Sequence, residues 1–200
     1  MSEQRLAAYR KRRDPAKSPE PAGRSGRRSK RPRFVIQEHG ARTHHFDFRL
    51  EVDGVLKSWA VPKGPSTDPR EKRLAVPVED HPLDYADFEG VIPAGQYGAG
   101  AVVVWDRGSY DNLTERDGRP QPVGQALQDG HLVIELHGAK LEGGYALQRV
   151  ATGEDERWLL IKLKDAAADA RRKPVSTQRR SVVSGRTVAE LAKEAERADG

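Results

Sequence analysis

The sequence predicts a mostly β fold: a small closed antiparallel β-barrel with basic, largely irregular extensions at its N- and C-termini. Three observations carry that expectation. Seven or eight short runs have strand texture, Gly and Asp punctuate them, and helical texture is confined to one segment near the C-terminus. Closure also removes the edges that so many short strands would expose.

Residues 1–32 come first, a basic arm rich in Arg, Lys, Pro, Gly and Ser. Its stretch "KSPEPAGRSGRRSKRPR" has too little apolar surface to fold alone. The arm is expected to be partly flexible, and ordered only where it lies on the domain or on a ligand. From Phe34 the texture changes. "RFVIQEH" and "HFDFRLEV" read as strands, and Val52-Asp53-Gly54-Val55 as a tight hairpin turn into "VLKSWAV". "KRLAVPVEDH" follows a Pro/Gly-rich loop, with Pro77 better suited to an edge or a bulge than to a central strand. "AGAVVVWDRGSY", "GHLVIELHG", "GGYALQRV" and "RWLLIKLKD" complete a barrel domain over residues 33–165. Residues 166–200 read as a basic linker and a short helix at "TVAELAKEAERA", where Thr187 and Glu190 have capping-box spacing.

The formal charge of +5 hides an asymmetry. Residues 1–33 hold 12 basic and 3 acidic residues, residues 34–165 hold 15 and 22, and residues 166–200 hold 8 and 5. A basic arm on an acidic body is the pattern of a protein that meets a polyanion. The acidic body would repel phosphate unless its carboxylates are committed to a cation. The absence of cysteine excludes disulfides, thiolate zinc sites and cysteine nucleophiles. No apolar run approaches the roughly 20 residues that span a bilayer, and the N-terminus lacks a signal peptide's apolar core, so a soluble, cytoplasmic protein is expected.

The chemistry concentrates in "HHFDFRLEVDG". At a period of two, His45, Asp47, Arg49 and Glu51 point one way and Phe46, Phe48, Leu50 and Val52 the other. His45 and Asp47 can present two ligands to one metal, and a turn at "HGART" can fold His39 back beside them. Two imidazoles and a carboxylate suit Mn²⁺, Fe²⁺ or Zn²⁺ better than Ca²⁺, and leave positions for water and substrate. Arg49, about 7 Å beyond Asp47 on the same face, can grip a phosphate with two parallel hydrogen bonds. The bland alternative is a surface histidine and an ordinary Asp47–Arg49 ion pair of small value. His44 faces the other way and is expected to be incidental.

A second cluster, "VEDHPLDYADFEG", places Glu79, His81 and Tyr85 in an anionic stretch with Asp80, Asp84, Asp87 and Glu89. Glu79 and His81 share a face if the strand extends that far. His81 can act as a general acid or bind a phosphate oxygen, Glu79 can orient an imidazole, and Tyr85 can donate to a non-bridging oxygen. An acidic loop with Pro82 starting a turn is the plainer reading. Lys63, Arg70, Lys72 and Arg73 are basic residues able to reach phosphates. His131 and His137 are about 20 Å apart along one strand, too far for one metal.

The blocks "FVIQEHGARTHHFDFRLEVDGVLKSWAVPKGP" and "RLAVPVEDHPLDYADFEGVIPAGQYGAGAVVVWDRG" resemble the 3′-phosphoesterase domain of bacterial DNA ligase D, from about Arg13 to Asp165. The resemblance implies a compact β-barrel that acts on DNA 3′ ends in nonhomologous end joining. It implies removal of a terminal ribonucleoside and then of the 3′-phosphate to leave 3′-OH, with a divalent metal, typically Mn²⁺, as cofactor. It assigns His39, His45 and Asp47 as metal ligands, Arg49 and His81 as phosphate contacts and Tyr85 as an active-site tyrosine. Glu79, Gln37, Lys63 and Arg73 take supporting roles, and Arg13, Asp14 and Glu20 of the arm serve mainly the diesterase step. The spacing of Asp14 and Glu20 matches the family imperfectly. The expected substrates are DNA or primer–template 3′ ends carrying a ribonucleotide or a 3′-phosphate. Partners implied are an end-joining ligase, a polymerase or Ku, with no membrane and a monomeric chain. No room remains for the ligase and polymerase that usually accompany this domain, so a stand-alone version or an excised piece is expected. The mechanism expected is in-line displacement at phosphorus by water, with His81 as proton donor or phosphate clamp.

Two rivals remain at this point. "HFD" is also the His-x-Asp part of the iron facial triad of barrel-shaped oxygenases, whose last histidine His131 or His137 would supply. A non-catalytic module that holds DNA ends is the other.

Overall fold

The computed structural model describes residues 2–23 and 31–198; the basic stretch 24–30 of the arm lies outside the described residues. The arm contributes two short helices, α1 (Ser2–Arg5) and α2 (Ala7–Lys11). Five strands follow: β1 (Arg33–Gly40), β2 (His45–Val52), β3 (Val55–Val61), β4 (Lys72–His81) and, after a 3₁₀ turn at Leu83–Asp87, β5 (Gly90–Ile92). Next come β6 (Gly100–Asn112), the small hairpin β7 (Glu115–Arg116) and β8 (Arg119–Pro120), and helix α3 (Val123–Asp129). The chain ends with β9 (His131–Gly138), β10 (Glu142–Ala151), β11 (Arg157–Lys162), α4 (Pro174–Thr177) and α5 (Val188–Ala198).

Eight strands close into an antiparallel barrel in the order β1-β2-β3-β4-β11-β10-β9-β6, with β6 pairing back to β1. These are the eight runs read from the sequence. β5 is an extra strand that, among the described strands, pairs with β6 alone. The Asp53-Gly54 turn forms as expected, with φ of 51° and 85°, the two positive values a type I′ hairpin needs. Pro77 pairs with Trp59 of β3 while β11 reaches only Ala75, so its missing N–H faces no ladder. No helix among the described residues is long and apolar enough to cross a membrane.

Alternation builds two apolar layers on the same strands. Phe34, Ile36, Phe46, Phe48, Leu50 and Trp59 fill the barrel around Trp105 and Tyr145. Val35, Leu56, Val102 and Val104 point outward and meet Tyr9 of α2, Leu83, Tyr85 and Phe88. The outward face of β2 is therefore covered by the arm and the 3₁₀ turn. Asp47, Arg49 and Glu51 are buried, where a strand with one wet face was expected.

The basic segment between barrel and C-terminal helix is fixed to the barrel. Gln178 O accepts hydrogen bonds from Trp105 Nε1 and Lys140 Nζ, and Arg180 O accepts a second from Lys140. The capping box of α5 forms, with Thr187 N donating to Glu190 and Glu190 N to Thr187 Oγ1.

Gly54→Ala forces a side chain into left-handed backbone and should cost about 1–2 kcal/mol in urea unfolding. A cost near zero would contradict the turn geometry.

Candidate metal and phosphate site

Cross-strand register assembles the first half of the site. His39 lies directly opposite His45, and Gln37 opposite Asp47. The rings of His39 and His45 stand 4.8 Å apart. Two backbone carbonyls set their tautomers. His39 donates from Nε2 to Gly98 O at 2.8 Å and His45 from Nδ1 to Thr43 O at 2.8 Å. Each ring therefore turns its other nitrogen, a lone pair, toward Asp47. His39 Nδ1 is 3.7 Å and His45 Nε2 3.6 Å from Asp47 Oδ2. Donors bound to one ion at about 2.1 Å sit roughly 3–3.5 Å apart, so these separations suit a shared cation with slight contraction. The donor set of two imidazoles and a carboxylate fits a divalent transition metal.

Asp47 is buried, which alone would raise its pKa. The Arg49 guanidinium beside it instead holds it well below the usual carboxylate range. Burial alone would lower His45, but the Asp47 carboxylate overrides this and raises it. Arg49 is fixed on two sides: Nη2 lies 3.1 Å from Asp47 Oδ2, and Nε donates to Gln37 Oε1 at 2.8 Å. Gln37 is anchored in turn, donating to Tyr85 O and Phe88 O. Arg49 Nη1 is buried and has no hydrogen-bond partner among the described residues. A buried, unpaired cationic donor beside a metal-ligand set is what an anionic oxygen would satisfy.

The second half comes from the arm. Arg13 donates to Glu20 Oε1 at 2.8 Å and Glu79 Oε1 at 2.9 Å, and its Nη2 lies 3.1 Å from His81 Nε2. His81 Nδ1 faces Glu79 O at 2.9 Å, so Nδ1 carries the proton and Nε2 accepts from Arg13. Burial, then Arg49 and Arg13, push the His81 pKa well below its ordinary value. His81 is thus a neutral acceptor in this geometry, whereas a proton donor was among the expectations. Tyr85 donates to Glu20 Oε1 at 3.0 Å, and burial pushes its pKa well up.

Not every candidate converges. Lys63 is exposed in the loop after β3, just past Val61, the partner of Phe46. Arg73 has the strand parity of Ala75, a barrel-core residue, and pairs with Glu71, which also binds Ser66 and Lys173. Asp14 is exposed, pairing with Lys17 and capping Ala16 N. Of the acidic stretch, Asp80 pairs with Lys57 and Asp87 with Arg107. His131 bonds Gln148 and His137 bonds Asp111, neither within the His39–His45–Asp47 group. Asp111, Glu135 and His137 form a separate, more exposed group. His44 is not incidental, because it bonds the buried Glu38 carboxylate at 2.8 Å. Sequence reasoning also missed Tyr9, whose ring lies 3.9 Å below the Arg13 guanidinium carbon and edge-on to His81. Leu6 and Tyr9, spaced i, i+3 among arginines, were the available signal.

The profile of the DNA ligase D 3′-phosphoesterase domain matches residues 37–149. The chain belongs to that family. Among its relatives in the family is the multifunctional non-homologous end joining protein LigD of Pseudomonas aeruginosa. The two are 52% identical over 167 residues, which is 82% of this chain and 19% of the relative. The multifunctional non-homologous end joining DNA repair protein LigD of Mycobacterium tuberculosis is 46% identical, over 80% of this chain and 20% of its own length. The LigD of Mycolicibacterium smegmatis is 44% identical, over 80% and 21%. The chain thus spans about a fifth of the length of these curated relatives.

In unfolded chain His81 titrates near pH 6.5, whereas in the phosphoesterase fold it stays neutral well below that. Folding then binds fewer protons, so stability falls as pH drops below about 6.5, by up to about 1.4 kcal/mol per pH unit. Urea titrations should show wild type losing stability faster than His81→Gln between about pH 6.5 and 5. Parallel slopes would contradict the neutral assignment.

Proposed function

We propose that this domain heals DNA 3′ ends. It removes a terminal ribonucleoside, then the remaining 3′-phosphate, to leave the 3′-OH that end joining requires. The observation that carries the reading is the unpaired Arg49 Nη1, held rigidly beside three convergent ligand atoms in a phosphoesterase-family fold. The cofactor proposed is Mn²⁺ on His39 Nδ1, His45 Nε2 and Asp47. When bound, such an ion would polarise a phosphoryl oxygen and lower the pKa of water.

The chain's own residues divide the remaining work. Arg49 takes a non-bridging oxygen through Nη1, with Gln37 and Asp47 fixing its plane so that little reorganisation is needed. His81, deprotonated, accepts a hydrogen bond or a proton at Nε2 once Arg13 yields that contact to substrate. Tyr85, protonated far above neutral pH, donates. Glu20 and Glu79 repel a bare phosphate but accept hydrogen bonds from hydroxyls, which suits the 2′-OH or 3′-OH of a terminal ribonucleoside. The arm therefore serves the diesterase step. Lys63, exposed near the His45 end, takes the upstream strand in this reading. Asp14 and Arg73 are drawn less into this reading by their positions. The proposed partners are DNA or primer–template 3′ ends, and in the cell an end-joining ligase, a polymerase or Ku.

A gel assay on a primer–template ending in one ribonucleotide tests the proposal. Wild type with Mn²⁺ should give the 3′-phosphate and then the 3′-OH product, and EDTA or Asp47→Ala should abolish both. Arg49→Ala should slow both steps by about 10²–10³. Glu79→Ala should slow the first far more than the second. Full turnover by Asp47→Ala, or oxo-acid- and O₂-dependent chemistry, would refute it.

A further inference from the structure

β5 is the weakest strand of the sheet, three residues long and paired with β6 alone. Yet the segments on either side of it supply two carbonyls to the site. Phe88 O, just before β5, accepts from Gln37, which orients Arg49. Gly98 O, just after it, accepts from His39 Nε2 and so aims Nδ1 at Asp47. The C-terminal segment packs against β5 and the residues around it. Ser181 Oγ donates a short hydrogen bond to Glu89 Oε1, and the same oxygen accepts from Val104 N at 2.7 Å. Val182 N donates to Val104 O at 3.0 Å. α5 then lays Val188, Leu191 and Ala192 over Val91 of β5 and over Ala101 and Val103 of β6. It rests directly on Gly40, the residue after His39, where a Cβ would come within 2.5 Å of Val188 Cγ1.

We propose that residues 181–198 are a positioning brace for the candidate site: they clamp β5 and Gly40, and through Gly98 O and Phe88 O they set His39 and Arg49. The inference rests on the metal and phosphate reading above. The brace supplies no ligand atom and takes no part in closing the eight-stranded barrel. Its loss therefore loosens the grip on metal and phosphate while the barrel stays closed.

The test uses the full chain carrying Val188→Asp and Leu191→Asp, with Ser181→Ala as a milder variant that leaves the apolar face of α5 intact. Arg197→Ala, on the last turn of α5, and Leu191→Met are the controls. Free Mn²⁺ is followed by electron paramagnetic resonance to give the dissociation constant. KM and kcat are measured on 3′-phosphate DNA, and far-ultraviolet dichroism and melting report the barrel. The double variant should keep the barrel spectrum and bind Mn²⁺ about tenfold or more weakly, as when an outer partner of a ligating histidine is lost. KM should rise with it, Ser181→Ala should shift both in the same direction by less, and both controls should match wild type. If the double variant unfolds, Ser181→Ala decides alone. Unchanged Mn²⁺ affinity with α5 amides exchanging freely would overturn the brace and leave the metal site standing. A wild-type chain that binds no Mn²⁺ would overturn the metal reading and the brace together.

Discussion

Burying a carboxylate is expensive unless positive charge or hydrogen-bond donors surround it, and Asp47, 5% exposed, has the Arg49 guanidinium against it. Arg49 alone makes a close contact at 3.1 Å, while the histidines stand back with lone pairs turned inward. Lone pairs facing a carboxylate across 3.6–3.7 Å repel it, and a cation between them converts that repulsion into attraction. The arrangement is compensated by Arg49, and a cation would complete it. Everything else in the site can be understood as keeping that geometry dry and fixed.

Dryness comes from a second apolar layer. The barrel's own core would be satisfied with a wet outer face on β1 and β2. Tyr9, Leu83, Tyr85 and Phe88 cover that face and seal the polar residues beneath. The cover is itself polar on its inner side, and its charges cancel locally: Arg13 lies between Glu20 and Glu79 and against His81, and Arg12 adds a second cation on Glu79. A network so fully paired is costly to break at one member, because its partners are left buried and unsatisfied. The basic arm thus acts at close range inside the fold.

The eight strands, the Asp53-Gly54 turn, the convergence of His39, His45 and Asp47 and the Thr187–Glu190 cap were legible in the sequence, because each depends on local period or fixed spacing. Glu79, His81 and Tyr85 were legible as a cluster but not as a buried one. What stayed hidden depends on contacts far apart in sequence. The pairing of Arg13 with Glu79 spans 66 residues, and the seating of Gly40 under Val188 spans more than twice that. Arg73 shares the barrel-facing parity of Ala75 along β4 and pairs with Glu71, a position its charge alone did not reveal. His131 and His137 offered a rival ligand only while strand neighbours were unknown; once β9 is set between β6 and β10, both have other partners.

The most direct measurement is a crystal of the full chain soaked in Mn²⁺, with anomalous scattering recorded at the manganese edge. The account predicts one strong peak bounded by His39 Nδ1, His45 Nε2 and an Asp47 carboxylate oxygen, lost in Asp47→Ala crystals. A peak at Asp111, Glu135 and His137 instead, or none at Asp47, would contradict it.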